Sequence, residues 1–163
     1  MGGARGVTER VVNLMELALE SDAGDPPPGH AFTGKSLTDL VGATATGMAV
    51  YEIEPGNLSW PYHFHLTQEE FLFVLSGELT LRTPEGERVL RTGDIVWFPA
   101  GAEGAHTVRN HSDAVVRYVI ASSQSEHGGG SVYPDSGKVS VWTSGFHHLG
   151  RLGERAEYWE GEP

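Results

Sequence analysis

Between residues 46 and 121 the chain alternates short apolar runs with turn residues, and no stretch there sustains a helical period. TGMAVYEIE, FLFVLSG, ELTLRT, DIVWFPA, HTVRN and AVVRYVIA are rich in β-branched and aromatic side chains, which suit a pleated, half-buried surface. Ser76-Gly77, Pro84-Glu85-Gly86, Thr92-Gly93-Asp94 and Asn110-His111-Ser112-Asp113 separate these runs with turn chemistry. Short strands spaced in this way predict an all-β sandwich or barrel. Residues 1–45 read differently. Val11, Val12, Leu14, Met15, Leu17 and Leu19 match neither the period of a strand nor that of a helix, so both stay open there. The prolines at 26 to 28 exclude regular structure in the loop that follows. From about residue 122 the chain is Gly- and Ser-rich, carries one predicted strand (KVSVW) and ends in a polar tail. The expected organisation is an arm over 1–45, packed on the main body or on a neighbouring subunit, a barrel core over 46–121, and an extension over 122–163.

Composition agrees with that class. A chain of 163 residues fits one domain with a real core, and 22 glycines with 39% hydrophobic residues favour a turn-rich β protein over a helical bundle. The lack of cysteine excludes disulfides and thiolate metal sites and agrees with a cytoplasmic location. No signal-like apolar run opens the chain, and no 18 apolar residues follow one another, so no membrane span is expected. The net charge of −11, with 11 basic residues scattered singly, argues against a nucleic-acid partner and serves solubility.

The chemistry concentrates in WPYHFHLTQEEFLFVLSG, residues 60 to 77. Side chains at i and i+2 of a strand share a face, so His63 and His65 project together if the segment is extended, as Pro61 favours. Such a pair is either a metal-binding pair or two polar residues on one face. Glu70 opens the next strand, and a hairpin would return its carboxylate beside the pair. His106, beyond GDIVWFPAG, can face the same interior in a barrel. Three neutral imidazoles and one carboxylate would form a donor set suited to Mn, Fe(II), Co, Ni or Zn, with positions left for water or substrate.

These residues resemble the two motifs of the cupin superfamily. The first reads here as Gly56, His63, His65, Glu70 and Gly77, and the second as Gly93, Pro99, Gly101, His106 and Asn110. Two spacings depart from the pattern: one extra residue lies between Gly56 and His63, and two extra between Gly101 and His106. Both fall in loops, where insertions cost little. The resemblance implies a double-stranded β-helix, or jelly-roll barrel, holding one divalent transition metal on His63, His65, Glu70 and His106 near one mouth. It also implies a homodimer, with the N-terminal arm as the exchanged segment. Counting back from Gly77 selects Glu70 over Glu69 as the ligand. Leu72 and Val74 then follow it inward, while Phe71, Phe73 and Leu75 face outward and need cover. Residues 133–139, YPDSGKV, resemble a stretch found in some small single-domain cupins.

Other residues are weaker candidates. Glu103, in the loop before His106, is a candidate catalytic acid or base. Trp60 and Tyr62 flank the histidine strand and are candidates for the pocket mouth. Arg82 alternates with Glu78 and Thr80 and is a candidate for holding an anionic substrate. His147-His148, His111, His30 and His127 read as loop histidines. Three functions follow: a metal-dependent isomerase, epimerase or dioxygenase acting on a small polar metabolite; a non-catalytic binder of a sugar or other metabolite; and a structural or regulatory protein that retains the site. The four-ligand set favours the enzyme, and 45 preceding residues leave no room for a DNA-binding helical domain.

Overall fold

A computed structural model describes residues 11–21, 27–124, 127–153, 157–158 and 160–161. The first ten residues of the expected arm, Pro26 and part of the polar tail lie outside the described residues. In chain order the strands are β1 (Glu20–Ser21), β2 (Thr33–Ser36), β3 (Thr46–Ile53), β4 (Phe64–His65), β5 (Glu70–Ser76), β6 (Glu78–Thr83) and β7 (Gly86–Arg91). They continue with β8 (Ile95–Phe98), β9 (Thr107–Arg109), β10 (Val116–Ser123), β11 (Gly129–Tyr133), β12 (Lys138–Thr143) and β13 (Phe146–Arg151). One short helix, α1 (Leu37–Val41), follows β2. The Ser36 side chain caps its start by accepting from the Asp39 amide, and Gly42 closes it in the left-handed conformation.

The strands form an all-β jelly roll. A six-stranded sheet runs β1-β2-β3-β10-β5-β8, a four-stranded sheet β13-β12-β11-β4, and a three-stranded sheet β7-β6-β9. Strand pairs that are distant in sequence dominate: β10 lies antiparallel between β3 and β5. The main core fills the space between sheets, with Ile53, Leu72, Val74, Leu79, Leu81, Leu90, Phe98, Val108, Val116 and Tyr118 in one cluster. Burying each such side chain stabilises by about 1.5–3 kcal/mol.

β5 shows how sequence parity becomes layering. Glu70, Leu72 and Val74 are buried, while Phe71 and Phe73 between them are 40% and 37% exposed. Leu75 joins a second cluster on the outer face with Leu37, Val50 and Val119, where Val12, Leu14, Leu17 and Leu19 of the arm pack. Arg117 ties the arm down by donating to the carbonyls of Met15 and Leu17. The arm segment 11–19 is neither helix nor strand beyond a turn over 14–16, so its broken periodicity is real. It covers only part of the outer face.

Three expectations need correcting. The arm region supplies β1, β2 and α1, with β2 paired to β3. The extension holds three strands, and the predicted KVSVW is the middle one. His147 and His148 therefore lie on strand β13, with His147 Nε2 3.2 Å from Ser140 Oγ, and are not in a loop. β7 also escaped the pattern, because only Leu90 of its six residues is buried.

Candidate metal centre

His63 and His106 are joined through their backbones. Each donates its amide to the other's carbonyl, at 3.1 and 2.8 Å, in an isolated antiparallel bridge. This pairing places two imidazoles side by side, with ring centres 4.9 Å apart. His65 sits on β4, opposite Ser131 of β11. Glu70 opens β5 and points inward by the parity described above. The donor atoms of His63, Glu70 and His106 lie within 4.8 Å of one another. Glu70 Oε2 is 3.2 Å from His65 Nε2 and 3.4 Å from His106 Nε2. Glu69, by contrast, is exposed.

The opposite edge of each ring is also engaged. His63 Nδ1 lies 2.7 Å from the Pro61 carbonyl, and His106 Nδ1 lies 2.9 Å from the Gly104 carbonyl. A carbonyl only accepts, so these two Nδ1 atoms carry protons, which leaves Nε2 as the lone-pair atom of each neutral ring; that of His106 lies 3.4 Å from the Glu70 carboxylate. His65 Nδ1 lies 3.1 Å from Ser131 Oγ. Phe98 stacks on His106 at 3.8 Å and 7°, and Tyr133 stacks on His63 at 5.8 Å. Outer hydrogen bonds of this kind fix ring orientation and raise ligand basicity.

Gly104 explains the longer second motif. The inserted residues form a 3-10 turn, Ala102–Gly104, whose last carbonyl holds His106. A Cβ on Gly104 would run into the carbonyl oxygen of Pro99, so only glycine fits. Asn110, fully buried, clamps the following corner by donating to the Ile53 and Ala114 carbonyls at 2.8 and 2.7 Å.

Electrostatics keep the His63 and His106 imidazoles neutral. Burial, helped by the neighbouring His106 and His65, pushes the His63 pKa down to about 4, and burial also lowers that of His106. Burial works to raise Glu70, but the hydrogen bond from His65 and the surrounding imidazoles outweigh it and hold the carboxyl below its ordinary value. Neutral nitrogens around an anionic oxygen, with no thiolate, form a donor set that fits a divalent transition metal.

The cluster lies in a chamber of about 260 Å³, walled by Tyr51, Trp60, Pro61, Ile120, Ser131 and Tyr133. Of the weaker candidates, Trp60 reaches this wall. Tyr62 and Arg82 line a neighbouring cavity instead. There Arg82 grips Asp135 through two hydrogen bonds of 2.6 and 2.9 Å and stacks over Tyr62 at 4.0 Å. Glu103 is exposed on the 3-10 turn and is not among the chamber residues, because the turn that seats His106 directs residue 103 to solvent. Tyr51, Ser131 and Tyr133 escaped sequence reasoning. Ser131 and Tyr133 sit in a Gly-rich stretch, and only the strand pairing of β11 with β4 reveals them.

Residues 49–122 match the Cupin domain family. This is a small protein with a cupin fold. The candidate sugar phosphate isomerase of Acidithiobacillus ferrooxidans ATCC 23270 is 28% identical, with a TM-score of 0.77 over 88% of this chain and 93% of that one. A cupin-superfamily sugar phosphate isomerase from Silicibacter pomeroyi DSS-3 is 25% identical, with a TM-score of 0.76 over 87% and 92%. A polyketide cyclase from Streptomyces resistomycificus, 20% identical with a TM-score of 0.57 over 71% and 79%, shares the fold alone. No curated protein matches the sequence. Among the described residues, no helix is long and apolar enough to cross a membrane.

Proposed function

We propose that this cupin is a metal-dependent enzyme that isomerises a small phosphorylated sugar. The observation that carries the reading is the gathering of three imidazoles around one carboxylate, with the Nε2 atoms of His65 and His106 at 3.2 and 3.4 Å from Glu70 and a His63 donor atom within 4.8 Å, each ring held from behind by an oxygen. The similarity to two structures bearing the name sugar phosphate isomerase supports the substrate class. His63, His65, Glu70 and His106 would hold the cation, which when bound supplies a Lewis acid for a substrate carbonyl.

The chain's own groups do the rest. Ile120 and Trp60 wall the chamber and limit water. Burial raises the Tyr133 phenol above its ordinary pKa, so at neutral pH it keeps its proton and offers an O–H donor to a substrate oxygen. Pro61 and Gly104 carbonyls hold the Nδ1 protons of His63 and His106, which keeps both rings aimed inward.

The test has two steps. Protein purified without a histidine tag is analysed for metals, then loaded with Mn, Zn, Ni, Co or Fe(II) and incubated with aldose and ketose phosphates under NMR. Interconversion is expected. Oxygen uptake with iron in place of interconversion would replace the isomerase by an oxygenase. A second reading, a non-catalytic metabolite binder, is favoured by one feature: among the described chamber residues Glu70 is the only carboxylate, and the ligand role occupies it. Tight sugar binding with no turnover on any metal would select that reading.

We further propose a homodimer. Phe71, Phe73, Ile95 and Trp97 form an exposed apolar face on β5 and on β8, the last strand of its sheet. A second copy across this face would cover what the described arm residues leave bare. Size exclusion with light scattering checks it, and a monomer at micromolar concentration would refute it.

A further inference from the structure

The metal chamber is short of positive charge. Among the described residues that line it there is neither Lys nor Arg. A phosphate ester carries a charge near −2 at neutral pH, and burying it without a partner is costly. A sugar phosphate bound here therefore needs a cation just outside the chamber.

The neighbouring cavity, about 530 Å³, supplies one. It abuts the chamber along Trp60 and Pro61, which line both. Phe32, Leu58 and Tyr62 make its walls largely apolar, and Arg82, Asp135, Ser136 and Lys138 face it together. The two cations differ. Arg82 is matched by Asp135 in a two-pronged ion pair. Lys138 makes no ion pair among the described residues, and its Nζ lies 5.3 Å from the centre of the Tyr133 ring. That ring in turn stacks on His63 at 5.8 Å. One aromatic ring thus separates an ammonium that has no ion-pair partner among the described residues from the histidine cluster. The placement is built into the fold, because Tyr133 and Lys138 are direct cross-strand partners at the closed end of the β11–β12 hairpin.

We infer that Lys138 is the phosphate anchor: it binds the phosphate of a sugar phosphate in the flanking cavity, while the carbonyl end of the same molecule occupies the histidine chamber. This rests on the isomerase reading above. Lys acts as a point charge for phosphate, and the Trp60 and Tyr133 faces lie where the sugar carbons would pass. The anchor belongs to the C-terminal extension, so the barrel motifs would select the metal and the extension would select the substrate.

Calorimetric titration of the metal-loaded full chain tests this. Ribose 5-phosphate, glucose 6-phosphate and fructose 6-phosphate are each compared with the unphosphorylated sugar. The proteins are wild type, Lys138→Met, Lys138→Arg and, as a remote charge control, Lys35→Met, with circular dichroism to verify folding. At least one phosphorylated sugar is expected to bind tenfold or more tightly than its free counterpart. Lys138→Met should abolish that preference, Lys138→Arg should restore most of it, and Lys35→Met should leave it unchanged. A phosphate preference that survives Lys138→Met overturns the anchor and leaves the isomerase reading standing. No binding of any sugar phosphate by the wild type overturns the isomerase reading, and the anchor with it.

Discussion

The motif-bearing barrel and the C-terminal extension contribute to the same site in different ways. The barrel supplies all four candidate ligands from the β4–β5 and β8–β9 regions, with His63 and His106 held by local carbonyls two residues away. Among its described residues the extension supplies no candidate ligand to this cluster. It supplies Ser131 behind His65, Tyr133 against His63, and Lys138 beyond them. Metal chemistry needs particular donor atoms, so its residues show in a motif. Orientation and substrate contact need only a side chain of suitable reach at a given point in space, which many sequence contexts can provide.

The largest test of this division is His106→Ala. Metal content should fall below about a tenth of wild type, with the β-sheet circular dichroism retained, since the core rests on Leu72, Leu79, Tyr118 and their neighbours. Ser131→Ala comes next. Removing the hydroxyl behind His65 should weaken metal affinity about tenfold, at the low end for an outer partner, as read by competition with a chelator. An unchanged affinity would break the comparison by making the extension mere cover.

Acidification acts on the barrel half. An unfolded histidine titrates near 6.5, whereas His63 in the fold is held down to about 4. The unfolded chain therefore takes up its proton first as pH falls. The stability contributed by neutral His63 is complete above 6.5 and is lost progressively between 6.5 and 4. Glu70, also depressed, acts in the same direction at the acid end. Metal-free protein should thus melt several degrees lower at pH 4.5 than at pH 7, and bound metal should be released below about pH 6. A site still fully loaded at pH 4.5 would contradict this. The smallest effect is expected from Glu103→Gln, which should leave metal content and turnover within about twofold, because that carboxylate faces solvent.

Much of the barrel was legible because parity is a local property. The alternation in FLFVLSG separates Leu72 and Val74 from Phe71 and Phe73 without any knowledge of the partner strands. The elements that were missed lack that signal. β7 is charged and exposed, β11 begins with glycines, and β13 carries two histidines and only two apolar residues, Phe146 and Leu149, all on exposed positions. Such strands exist because neighbours pair with them. Arg82 shows the same limit, since its alternation was visible but its capture by Asp135, 53 residues away, was not.

The sequence by itself determined the donor types, their spacing on β4 and β5, and the inward parity of Glu70, because these follow from the two-residue repeat of a strand. Only the tertiary structure decided that the donors converge. The backbone bridge between His63 and His106, and the pairing that sets Ser131 behind His65 across 66 residues, are long-range hydrogen bonds. No local propensity encodes them, because they form only when the whole sheet order is in place.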